Sequence, residues 1–154
     1  MNITIQRKAA FSVAGVDKES IPNSKCPSVW EELYQKQNHD DLVELGNGQS
    51  FGVCPDIDNV DAINYMAAYD VENRRLAQEM GLTILEIAEA DYAVVELKES
   101  IPACIHAGWK YLMEEFFPQN HLMHSGAPDF EVYAEGDMSS LDYRMELWVP
   151  VVKA

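Results

Sequence analysis

Two stretches decide how the chain is read: Pro128-Asp-Phe-Glu-Val-Tyr133 and Tyr143-Arg-Met-Glu-Leu-Trp-Val-Pro-Val-Val152. Both alternate at period two, the pattern of a strand with one buried face. Along the second, Tyr143, Met145, Leu147 and Val149 share a core-like face, while Arg144, Glu146 and Trp148 share the other. Along the first, Phe130, Val132 and Ala134 form the apolar face, and Asp129, Glu131 and Tyr133 the mixed one. The turn-rich Glu135-Gly-Asp-Met-Ser-Ser140 joins them. If the mixed faces coincide, Glu131, Tyr133, Glu146 and Trp148 stand together. Such a face is either ordinary solvated sheet or a groove in which rings stack on a flat cation and a carboxylate supplies charge. A cation over an aromatic face gains ~0.5–1 kcal/mol when exposed and ~2 or more when desolvated. A carboxylate withdrawn from water takes up a proton or awaits a positive partner.

Outward from this hairpin the same order of elements occurs twice. Ala90 to Lys98 reads as a strand running into Ser100-Ile-Pro102. Ile105, Gly108, Trp109, Leu112, Met113 and Phe116 then recur at helical spacing, and Pro118 is expected to end that helix. In the first half, Ile3 to Val16 reads as one strand with a bend near Gly15. The segment Pro27-Ser-Val-Trp-Glu-Glu-Leu-Tyr reads as a helix, with Phe51 to Cys54 and Ala62 to Tyr69 as strands. Each helix has a proline in its first turn and a tryptophan soon after. Val71 to Met80 predicts a helical turn ending at Gly81, and Thr83 to Ile87 a strand leading into the second repeat. The reading is an α+β chain, one domain over 1–154, with pseudo-two-fold βαββ repeats at about 1–70 and 83–154.

Composition narrows the function classes. The chain has 154 residues, 47% of them hydrophobic, enough for a buried core. No apolar run approaches the ~20 residues of a membrane span. The opening residues lack the apolar stretch of a signal peptide, so a cytoplasmic location is expected. Eleven basic residues against 26 acidic ones give a formal charge of −15, which repels nucleic acid and anionic lipid and attracts cations. Cys26, Cys54 and Cys104 lie far apart without a C-x-x-C pair and read as reduced, buried thiols.

Four ordered stretches resemble the GyrI-like small-molecule-binding family, also called the AraC-type or regulatory-factor effector-binding domain. They are Pro27-Ser-Val-Trp30; Phe51-Gly-Val53 with Ile63-Asn-Tyr65-Met-Ala-Ala68; Asp91-Tyr-Ala93-Val-Val95 with Phe116-Phe-Pro118; and the two stretches quoted first. The resemblance implies a tandem βαββ fold with an antiparallel sheet and a ligand cleft between the halves. It also implies that Glu146, just before the closing apolar-Pro-Val segment, faces the cleft and meets cationic ligands. Trp30, Tyr65, Trp109, Tyr133 and Trp148 are the rings expected around it. Ala68 stands where the family usually has glycine. With no helix-turn-helix segment, the chain resembles the stand-alone members, among them cationic-drug-binding proteins of integron cassettes.

No cofactor or metal is expected. His121-Leu-Met-His124 has metal-compatible spacing only if helical, and it follows a helix-ending proline. Gly46-Asn-Gly48 lacks the helix and lysine of a phosphate loop. The expected function is capture of a lipophilic cationic small molecule, as a sequestering or sensing module. Two alternatives stand beside it: hydrolysis of electrophilic toxins with Glu146 as general base, and an acidic inhibitor of the gyrase-inhibitor type. Edge strands or aromatic patches offer a route to a homodimer.

Overall fold

The computed structural model describes residues 2–22, 25–55, 63–98, 103–134 and 142–154. The turn expected at Glu135 to Ser140, the Ser100-Ile-Pro102 segment and Ala62 lie outside them. Two compact units are present: one comprises Ala9–Glu89, the other Met1–Lys8 together with Ala90–Ala154.

The Ala9–Glu89 unit contains β2 (Phe11–Ile21), α1 (Cys26–Lys36), α2 (His39–Val43), β3 (Ser50–Cys54), β4 (Ile63–Asp70), α3 (Arg74–Glu79) and β5 (Thr83–Ile87). Its antiparallel strand order is β3-β4-β2-β5. Pro27 fills a first-turn position of α1, where a missing N–H costs nothing, and Val29 and Leu33 bury themselves one turn apart. They pack with Ala14, Val16, Tyr65, Ala67 and Tyr69 into one core. β2 and β4 approach closely at Gly15, where a β-carbon would stand 1.9 Å from the Ala67 carbonyl oxygen.

The other unit contains β1 (Ile3–Lys8), β6 (Ala90–Lys98), α4 (Ala103–Tyr111), a π-helical turn (Leu112–Phe116), α5 (Phe117–Asn120), β7 (Leu122–His124), β8 (Asp129–Tyr133) and β9 (Arg144–Lys153). Its strand order is β1-β6-β9-β8, with β7 also paired to β9. Ala93, Val95, Leu97, Met145, Leu147, Val149 and Val151 form the sheet side of its core, against Cys104, Leu112 and Phe117. A β-carbon on Gly108 would lie 2.7 Å from the Leu97 Cδ2 atom, so glycine lets α4 sit close on β6.

The two units share one plan, with β8, β9, β6 and β1 corresponding to β3, β4, β2 and β5. Each βαββ repeat gains an outer strand, β5 in one case and β1 in the other. Two expectations need correction. The Ile3 to Val16 strand is two strands broken at Ala9–Ala10, and the first of them pairs with β6 rather than serving the repeat that follows it. Pro118 does not end the helix. The π turn before it leaves Pro118 in the first turn of α5, where its missing N–H is tolerated, and the helical run closes at His121 with φ 53°. No helix among the described residues is long and apolar enough to cross a membrane.

Candidate functional site

Pairing register decides which residues share a face, because directly opposed residues of antiparallel strands project to the same side. β8 and β9 pair as Phe130 with Trp148, Glu131 with Leu147, Val132 with Glu146 and Tyr133 with Met145. Glu131 and Tyr133 therefore lie on the helix-covered side, with Met145 and Leu147. Glu146 and Trp148 lie on the other side with Phe130 and Val132. The expectation that all four project together is corrected: a one-residue difference in register moves a strand's side chains to the opposite face.

On the side facing away from this unit's helical core, β6 contributes Tyr92, Val94 and Glu96, level with Pro150, Trp148 and Glu146. Here Trp148 is half-buried at the centre of an aromatic group. Its ring stacks on the buried Phe130 at 5.7 Å and 15°, and meets Tyr92 edge-on at 5.5 Å. The Trp148 indole N–H donates to the Glu146 Oε1 atom at 3.1 Å, fixing the carboxylate against the ring. The Lys8 ammonium lies 5.7 Å from the Trp148 ring centroid. Tyr92 is 0% exposed, and its hydroxyl has no hydrogen-bond partner among the described residues. Burial raises the Tyr92 pKa, so the hydroxyl stays protonated and able to donate.

The helix-covered side of the same unit holds a different group. Trp109 on α4 stacks on His124 at 6.4 Å and 10°. The His124 Nδ1 atom accepts from the Gly126 N–H at 2.9 Å, which leaves the Nε2 proton to donate to Asp129 at 3.1 Å. Two residues on, the Tyr133 hydroxyl donates to Glu131. Burial pushes the Glu131 pKa up to about 7, the tyrosine bond pulls it back, and the charge of Asp129 raises it further.

Trp30 and Tyr65 meet in the Ala9–Glu89 unit, where the Trp30 indole N–H donates to the Tyr65 hydroxyl at 2.8 Å. Beside them the Tyr69 hydroxyl bonds both Tyr34 and His39, each at 2.7 Å. The seven expected site residues thus fall into three groups: Glu146 with Trp148; Trp109, Glu131 and Tyr133; and Trp30 with Tyr65. Tyr92, Phe130 and Lys8 were missed. Phe130 read as a core residue of its strand, and nothing local tied Lys8 or Tyr92 to the tryptophan.

A cavity of about 270 Å³ near α5 and β7 is lined by Met113, Phe117, Leu122 and His124. Another of about 170 Å³ in the Ala9–Glu89 unit is lined by Tyr65, Asp17, Glu19 and Asn64. Among the described residues no three His, Cys, Asp or Glu side chains gather as a metal site. His121 and His124 do not share a helix, since one caps α5 and the other lies in β7.

Comparison with solved structures returns the same fold. The chain is similar to SAV2435 bound to tetraphenylphosphonium, with TM-score 0.81, 23% identity, and coverage of 99% of this chain and 94% of that one. It is also similar to an integron cassette protein from the mobile metagenome of Vibrio cholerae, with TM-score 0.70, 17% identity and coverage of 97% and 95%. A hydrolase encoded by lin2189 from Listeria innocua shares the fold at TM-score 0.63 and 12% identity, covering 97% and 91%. No curated protein matches the sequence. The GyrI-like small molecule binding domain matches residues 1–152, and the chain belongs to that family.

Proposed function

We propose that the small molecule bound by this chain is a lipophilic organic cation, held around Trp148 on the sheet face opposite α4. Glu146 supplies the charge and half-buried Trp148 the aromatic surface, with the buried Phe130 and Tyr92 holding its ring in place. One observation carries the reading. The Trp148 ring stands between a stacked phenyl and a carboxylate, and an ammonium already lies over it. Rings hold a flat or bulky cation by dispersion and by their quadrupole, and the carboxylate sets the preferred sign. The phosphonium complex of SAV2435 supports a ligand of this class.

Titration with tetraphenylphosphonium, followed by tryptophan fluorescence, tests the proposal. Wild-type protein is quenched saturably, and Glu146→Gln weakens binding by about tenfold, equivalent to the loss of ~1.4 kcal/mol of charge pairing. If Glu146→Gln binds as tightly as the parent, the carboxylate has no part in recognition.

A second reading is hydrolysis, and Glu131 rather than Glu146 favours it. A carboxyl that titrates near pH 7 beside a tyrosine hydroxyl suits proton transfer. Mass spectrometry of an electrophilic probe such as an epoxide, incubated with wild type and Glu131→Gln, separates the readings. A product gaining one water, formed only by wild type, supports hydrolysis. Unchanged probe in both removes it.

A further inference from the structure

We infer that Lys8 is a built-in occupant of the cation position, so that a cationic ligand binds by displacing the protein's own ammonium. The inference rests on the Trp148 site just proposed, and concerns what sets its affinity.

β1 pairs with β6 so that Gln6 opposes Tyr92 and Lys8 opposes Ala90. Side chains two apart share a face, which puts Lys8 on the same side as Tyr92, Val94 and Trp148. The strand order β1-β6-β9-β8 brings Lys8 toward Trp148 from one flank and Phe130 from the other. Phe130 stacks on the indole, Tyr92 meets its edge, and the Lys8 ammonium lies 5.7 Å from its centroid. The carboxylates that β9 and β6 place on that face are Glu146, bonded to the indole, and Glu96, directly across from it. Asn2 donates to Glu96 at 2.6 Å. Two carboxylates opposed across a strand pair repel one another, which favours a cation brought to that face. The ring is thus already partnered by a cation.

The consequence is a threshold. A tethered ammonium competes at a high effective concentration and never leaves by diffusion. A guest succeeds only if it replaces the cation–π contact and adds what an ammonium lacks, namely apolar surface against Trp148 and Phe130. Small hydrated cations offer no such surplus, whereas phosphonium or rhodamine-like cations do. Lys8 therefore acts as a specificity-determining residue that rejects small cations.

The test is tetraphenylphosphonium titration of the wild type, Lys8→Met and Lys8→Arg, each with its Trp148→Phe counterpart. Methionine keeps the length of the stem and removes the charge. Lys8→Met binds roughly 3- to 30-fold tighter, the span corresponding to a lost cation–π competitor. Lys8→Arg shows no such gain. In wild-type protein the Lys8 side-chain methylene protons, shifted upfield by the indole ring current, return toward ordinary values when tetraphenylphosphonium is added. If phosphonium binds with Trp148 dependence, yet Lys8→Met is no tighter and the methylene shifts stay put, the displacement idea is overturned while the site stands. If phosphonium binds none of the variants, the site itself falls, and the displacement idea with it.

Discussion

The two units share a strand plan but satisfy their aromatic polar groups differently. In Ala9–Glu89 they are partnered within the unit: Trp30 with Tyr65, and Tyr69 with both Tyr34 and His39. Burial and the tyrosine neighbour raise the Tyr69 pKa, as expected of a hydroxyl in a closed network. In the unit built on Ala90–Ala154, the Tyr92 hydroxyl has no partner among the described residues, and Trp148 engages Glu146 and Lys8. On the other side of that sheet, Glu131 has a tyrosine partner and a carboxylate neighbour. Closed networks specify a fold, whereas incompletely satisfied polar groups mark places where something else is recognised. Of two repeats with one strand plan, only the Ala90–Ala154 one holds a buried hydroxyl without a partner among the described residues.

The largest effect that could break this contrast comes from Glu131. Its folded pKa of about 7 lies above the ordinary carboxyl value, so the folded state prefers the proton. The resulting stability is present below the unfolded pKa and is lost as pH rises through the folded one. Glu131→Gln keeps an acceptor for Tyr133 without titrating. Relative to wild type it gains about 2 kcal/mol between pH 5.5 and pH 8, measurable by urea unfolding at both values. A gap that stays constant with pH means that Glu131 is not strained by its charge.

Next comes Tyr69→Phe, which removes a hydroxyl serving two partners and costs about 1.5 kcal/mol. Thermal unfolding should fall by several degrees, and an unchanged midpoint would show that the network is not closed. Smallest is Tyr92→Phe. Deleting a buried hydroxyl without a partner changes stability by less than about 1 kcal/mol, toward stabilisation. Should Tyr92→Phe destabilise as much as Tyr69→Phe, the difference between the units disappears.

Much of the fold was legible locally. Alternation along Arg144–Lys153 identified Met145, Leu147 and Val149 as core and Glu146 and Trp148 as the other face, because side-chain direction in a strand follows from period two alone. Pro27 and the Val29–Leu33 spacing located α1 in the same way. The break at Ala9–Ala10 was not legible, since neither glycine nor proline marks it and only β1's pairing with β6 separates it from β2. Pro118 misled for a related reason: a π turn ahead of it let the helical run continue.

Local sequence carried the repeat order, the strand faces and the GyrI-like small-molecule-binding family, all properties set by neighbours in the chain. Tertiary structure alone decided that Phe130, and not Glu131 or Tyr133, stands opposite Trp148. It also decided that Lys8, well over a hundred residues away in the chain, reaches that ring. Strand parity is intrinsic to each segment, but register is a relation between two segments, and a shift of a single residue exchanges the faces.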